Sequence, residues 1–108
     1  MRLLIAATLI LVGCFPPTAA VPAPISESEY EALHRGGAPT LADLSAGRGL
    51  FSSGCGSCHN HPDVAAHGSA EWARIVERMG RKADLSPAES DLVLAFILAA
   101  RERSLPPR

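Results

Sequence analysis

Gly47-Arg48-Gly49-Leu50-Phe51-Ser52-Ser53-Gly54-Cys55-Gly56-Ser57-Cys58-His59 carries an apolar helical pattern into a loop that holds two thiols and an imidazole. Leu41, Leu44, Leu50 and Phe51 predict a helix from about Thr40 or Leu41 to Ser52. Gly47 and Gly49 inside it each weaken a helix by roughly 1 kcal/mol relative to Ala. Their use is to let another backbone or a flat ligand come close. After the loop Ser53–Gly68, the residues Trp72, Ile75, Val76 and Met79 fall at i, i+3, i+4 and i+7. That spacing puts them on one face of a helix opened by Gly68 or Ser69, running to Arg78 or Met79, and closed by Gly80. Ser86-Pro87-Ala88-Glu89 then combines an N-cap, Pro at the first helical position and a capping-box Glu. The helix it opens runs through nine consecutive apolar residues, Leu92–Ala100, to Arg101-Glu102-Arg103, and Pro106-Pro107 ends it. No strand-like alternation appears, so the expected fold class is all-α: three to four short helices.

Upstream of residue 40 the chain changes character. Arg2 and the apolar run Leu3–Val12 have the charged start and short apolar core of an export signal. Ten residues rise about 15 Å as a helix, against a hydrocarbon core of about 30 Å, so the run does not span a membrane. Leu11-Val12-Gly13-Cys14 resembles a bacterial lipobox, which implies cleavage after residue 13 and a lipid on the Cys14 sulfur. The alternative is an ordinary signal peptide cut after Thr18-Ala19-Ala20. Residues 14–25 would then be a tether, extended and semi-rigid because Pro16, Pro17, Pro22 and Pro24 disfavour helix and sheet. Ser26-Glu27-Ser28-Glu29 is a capping box for a short helix bearing Tyr30 and Leu33, stopped by Gly36-Gly37, within a segment 26–37. The folded domain is 40–108.

Composition limits what that domain can do. The 10 Lys+Arg against 11 Asp+Glu leave no basic excess to neutralise phosphates, which argues against nucleic-acid binding. From Thr40 onward 30 of 69 residues are hydrophobic, but 11 of these are Ala, and Phe51, Trp72 and Phe96 are the only aromatics. A domain so poor in bulky side chains rarely folds without a disulfide, a metal or a cofactor. No paired-carboxylate, nucleophile–base or phosphate-loop signature accompanies it.

Cys55-Gly56-Ser57-Cys58-His59 is C-x-x-C-H, the attachment motif for c-type haem. Thiols three positions apart can each add across one of two neighbouring porphyrin vinyl groups, and the next residue then lies under the iron as proximal ligand. Two readings compete. A Cys-x-x-Cys dithiol of the thioredoxin type needs a βαβ context that is missing here. Cys55 and Cys58 with two of His59, His61 and His67 would make a Cys2His2 zinc site. Export favours haem, since the attachment takes place outside the cytoplasm.

Taken together, Gly47-Arg48-Gly49-Leu50-Phe51, the C-x-x-C-H motif, a following Met and Leu85-Ser86-Pro87-Ala88-Glu89 with Phe96 downstream resemble a compact class I c-type cytochrome over roughly Leu41–Arg103. The resemblance implies one covalently bound haem c, with an N-terminal helix crossing a C-terminal helix beside it. Gly47 and Phe51 would meet Phe96 at that crossing. It also implies an axial methionine, for which Met79, twenty residues after His59, is the candidate. His67 is the main alternative as sixth ligand, His34 a remoter one, and an open sixth position a further one; His61 stands too close to His59 to reach the opposite face. Methionine ligation raises the reduction potential relative to two histidines. Trp72 is a candidate donor to a haem propionate, its alternative being a half-buried packing aromatic. Arg48, Arg74, Arg78, Arg81 and Lys82 are candidate propionate or partner contacts.

The expected function is electron transfer, without enzymatic turnover, at the periplasmic side of a membrane to which Cys14 anchors the protein. Its partners would be redox proteins: a dehydrogenase, an oxidase or another cytochrome. The alternatives are an electron-accepting subunit of a larger oxidoreductase complex, with Leu92–Ala100 leaving a partner surface, and a haem-based gas or redox sensor. Because so few bulky residues are available to the core, the cofactor-free chain is expected to lack a cooperative thermal melt comparable to that of the haem-loaded protein. Calorimetry of the two forms checks this.

Overall fold

The computed structural model describes residues 20–33, 38–55 and 61–106, and at Cys55 the backbone alone. It is helical, with no strand among the described residues. Four α-helices follow in order: α1, Glu27–Leu33; α2, Leu41–Leu50; α3, Ser69–Lys82; and α4, Pro87–Ser104. A π-helical turn, Phe51–Cys55, continues α2, and a short 3-10 turn, Val64–Ala66, precedes α3. None of these helices is long and apolar enough to cross a membrane. The export segment, Cys14, His34 and Gly36-Gly37 lie outside the described residues.

Three helices start where side chains supply the missing backbone partners. Ser26 and Glu29, Thr40 and Asp43, and Ser86 and Glu89 each form a reciprocal capping box, with hydrogen bonds of 2.9–3.2 Å. In α4, Pro87 at the first position lacks only an N–H that would have no helical partner anyway.

The centre of the molecule is the packing of α2 on α4. Gly47 lies directly on the Leu92 carbonyl, and a Cβ there would collide with that oxygen and press on Phe96 Cβ at 3.1 Å. Gly49, by contrast, has open space where a Cβ would stand. One turn beyond Gly47, Phe51 meets Phe96 with ring centroids 6.0 Å apart and planes tilted by 53°, a favourable aromatic geometry. The buried core comprises Ile25, Leu44, Phe51, Val64, Trp72, Val76, Val93, Phe96, Ile97, Ala99 and Ala100.

Two sequence expectations need correction. Gly80 does not close α3, which continues to Lys82. Gly80 is buried because its missing Cβ makes room for the Ser90 side chain of α4. The stop comes at Asp84, which takes a left-handed conformation (φ 57°) while the Leu85 N–H returns to the Gly80 carbonyl at 2.9 Å. Asp is among the few residues that visit this region readily. The second concerns residues 21–25, expected as part of an extended, semi-rigid tether over 14–25. Ile25 is buried in the core, Val21 packs against it, and the segment runs as a strap over the domain.

Helix α1 docks as well. Tyr30 donates its hydroxyl to the Pro39 carbonyl at 2.9 Å, and Glu29 pairs with Arg103 at 3.3 Å. The Ser26 N–H, together with the Arg103 guanidinium, holds the Glu29 carboxyl below its ordinary pKa. Ala32, Leu33 and Pro39 face Leu94, Ala95 and Leu98 across a groove, so α1 partly covers one side of the apolar run Leu92–Ala100.

The fit at Gly47 yields a sharp prediction. Gly47→Ala must push α2 away from the Leu92 backbone, and overpacking of this kind costs about 1–3 kcal/mol. Gly49→Ala, in open space, should be neutral or slightly stabilising. Thermal melts of the two variants against the parent check the contrast.

Candidate cofactor site

An apolar cavity of about 400 Å³ opens where the π-helical turn, α3 and α4 meet. Its walls come from three places. The π-helical turn contributes Phe51 and Gly54, α3 contributes Trp72, Ile75, Val76 and Met79, and α4 contributes Val93 and Ile97, with Leu85 closing the α3–α4 turn. Pro62 and His67 complete the wall from the loop, and the exposed Arg78 and Lys82 contribute its charged groups. A volume of this size falls within the range of about 300–1,000 Å³ usual for organic ligands and cofactors.

Gly54 immediately precedes Cys55, and Pro62 stands three residues after His59; both line the cavity. The motif is therefore bracketed on both sides by cavity-wall residues. Cys58 and His59, and the side chain of Cys55, lie outside the described residues.

Met79 is half-buried on the inner face of α3 and lines the cavity, as its place on the Trp72–Ile75–Val76 stripe predicts. His67 lines it too. Its Nδ1 lies 3.0 Å from Glu71 Oε2, and its ring meets Trp72 edge-on with centroids 5.1 Å apart. A carboxylate only accepts, so Nδ1 donates, leaving Nε2 as the nitrogen able to ligate. The His67 carbonyl accepts from Arg101 Nε at 2.8 Å, which ties this loop to the last turns of α4. His61 is used differently: its Nε2 donates to the Phe51 carbonyl at 3.1 Å, and its ring packs on Phe51 with centroids 5.0 Å apart.

Trp72 is buried with 1% exposure, and its indole N–H donates to the Val64 carbonyl at 2.8 Å. The donor expected to be available to a propionate is thus held by the backbone of the 3-10 turn. Trp72 contributes its ring to the cavity wall and uses its polar edge to fix the loop. Of the candidate cations, Arg78 and Lys82 belong to the cavity. Arg81 pairs with Glu77 at 3.2 Å on the exposed side of α3, and Arg48 binds the Pro22 carbonyl.

The residue that sequence reasoning missed is Val64, whose carbonyl anchors Trp72. Asp63 before it was a legible signal, since an Asp side chain capping the Ala65 N–H (2.9 Å) is the ordinary start of such a turn. Compared with protein-family models, curated proteins and solved structures, the chain has no significant match.

The Trp72–Val64 bond generates a test. Trp72→Phe keeps an aromatic wall but strands a buried carbonyl, a loss of about 1–3 kcal/mol. A denaturant melt should register that loss, and a variant as stable as the parent would show that the bond does not hold the loop.

Proposed function

We propose that this chain is a small electron carrier of the c-type cytochrome kind, with Cys55 and Cys58 holding one haem covalently, His59 as proximal ligand and Met79 as distal ligand. The observation that carries the reading is the apolar cavity, whose wall includes Met79 and the residues Gly54 and Pro62 that flank the C-x-x-C-H motif in the chain. The donor set suits the group: two thiols for its vinyl carbons, and an imidazole and a soft thioether for its iron. When bound, the haem supplies one-electron Fe(II)/Fe(III) exchange.

The remaining work belongs to the protein. Phe51, Trp72, Ile75, Val76, Val93 and Ile97 keep water from the ring faces and hold a low local dielectric. Arg78 and Lys82 offer positive charge to the propionates or to a partner's acidic surface. If His59 and Met79 both ligate the iron, no position is left for a substrate to coordinate, which is why a carrier is favoured over a catalyst. His67 is the second reading for the distal ligand, because it lines the same cavity and Glu71 orients its ring. An exported chain with a lipid on Cys14 would exchange electrons at a membrane surface with a dehydrogenase, an oxidase or another cytochrome.

The test is the absorption spectrum of the exported protein with a pyridine haemochrome assay, which should report one haem c per chain. The oxidised form should show a thioether-to-iron charge-transfer band that disappears in Met79→Ala and survives in His67→Ala. No c-type spectrum would overturn the reading; a band retained in Met79→Ala would overturn the distal assignment.

A further inference from the structure

Away from the cavity, the strap Val21–Ile25 is bonded to the helices although it has no regular structure itself. Three successive carbonyls, those of Pro22, Ala23 and Pro24, accept from guanidinium groups. Arg48 Nε of α2 reaches Pro22 at 2.8 Å, Arg103 Nη2 reaches Ala23 at 2.9 Å, and Arg103 Nη1 reaches Pro24 at 3.3 Å. Arg103, in the last turn of α4, also pairs with Glu29 of α1. Ile25 then enters the core with 8% exposure. A tether meant only to swing would leave these carbonyls to water and would not bury an isoleucine.

We infer that the strap is a mooring, shortening the free tether between the domain and the bilayer in which Cys14 is anchored. This rests on the reading of Cys14 as lipidated. The seven residues 14–20 reach at most about 22 Å as an extended polyproline-type chain, whereas twelve residues to Ile25 would reach about 37 Å. The strap meets the domain at Arg48, so the free part of the tether leaves from the α2 side. Neither Arg48 nor Arg103 lines the apolar cavity, so docking the strap leaves the cavity wall uncovered. A redox partner held on the same membrane would then meet the domain over a narrow range of heights, which raises its effective concentration without tight binding.

The experiment uses the full exported, lipidated protein on a supported bilayer of phosphatidylethanolamine and phosphatidylglycerol. Neutron reflectometry compares it with the double variant R48A/R103A and with I25S, which undocks the strap while leaving both arginines in place. Release of five strap residues should move the protein layer outward by up to about 15 Å in both variants. In nanodiscs, backbone order parameters of Val21, Ala23 and Ile25 should match the rigid value of about 0.85 in the parent and fall below about 0.6 in the variants. A mobile strap in the parent, or layers of equal height, would overturn the mooring. Partition of the parent into the aqueous phase on detergent phase separation would refute lipidation of Cys14 and the mooring with it. The order parameters would still report separately whether the strap docks.

Discussion

Everything in the molecule is referenced to the place where Gly47 of α2 lies on the Leu92 carbonyl of α4. No side chain fits between the two backbones, so the crossing fixes their separation and angle with little latitude. Phe51 is one turn further along α2, and its position on Phe96 follows from that crossing. The π-helical turn begins at Phe51, so the same contact decides where Gly54 and the start of the thiol motif emerge. A change of an ångström at Gly47 would be passed to the cavity through a single helical turn. Helix α3 meets α4 at a second glycine, Gly80, which lies against the Ser90 side chain instead of against backbone. Two glycines thus set the two helix spacings between which the cavity opens.

The irregular segments are organised by arginines. Arg48, Arg101 and Arg103 each donate to carbonyls that no helix or strand satisfies, in the strap and at His67. The bonds to Pro22 and His67 serve carbonyls partly withdrawn from water, which need partners, whereas Arg103 adds two solvent-exposed bonds to the strap from one side chain. This arrangement suits a protein with a small apolar core. Its loops are secured by directed bonds from the helices, because there is little hydrophobic surface left for them to cover. The three arginines all act on backbone, so their contribution depends on where the chain runs more than on which residues it carries there.

Local signals were legible wherever a residue acts on its own neighbours. The boxes at Ser26–Glu29 and Ser86–Glu89 start helices as their spacing predicts, and the Trp72–Ile75–Val76–Met79 stripe faces inward. What could not be read depends on partners distant in the chain. Gly80 looks like a helix stop because glycine usually supplies the left-handed residue there, but its real constraint is Ser90 in another helix, and Asp84 makes the turn. The proline-rich strap looks like an extended, semi-rigid tether because its composition disfavours helix and sheet; the arginines that hold it stand 26 and 80 residues away. Trp72 was correctly placed by periodicity, yet its hydrogen-bond partner lies in a turn that periodicity does not describe. For the candidate site, the lining by Met79 and the approach of His67 followed from the helix pattern and loop length. The bracketing of the motif by Gly54 and Pro62 required the fold.

The cavity and the core compete for the same side chains. Phe51, Trp72, Val76, Val93 and Ile97 are buried hydrophobic residues of the core, and all five also line the cavity. In a larger protein a binding site can be carved beside an independent core. Here the two share their walls, so filling the cavity and completing the core are one event. A ligand bound to the native state stabilises it by mass action, and the effect is greatest when the ligand cannot leave. On the proposed reading, the thioether bonds of Cys55 and Cys58 convert a dissociable stabiliser into a permanent one. On that reading, retention of the cofactor and stability of the fold would be the same requirement.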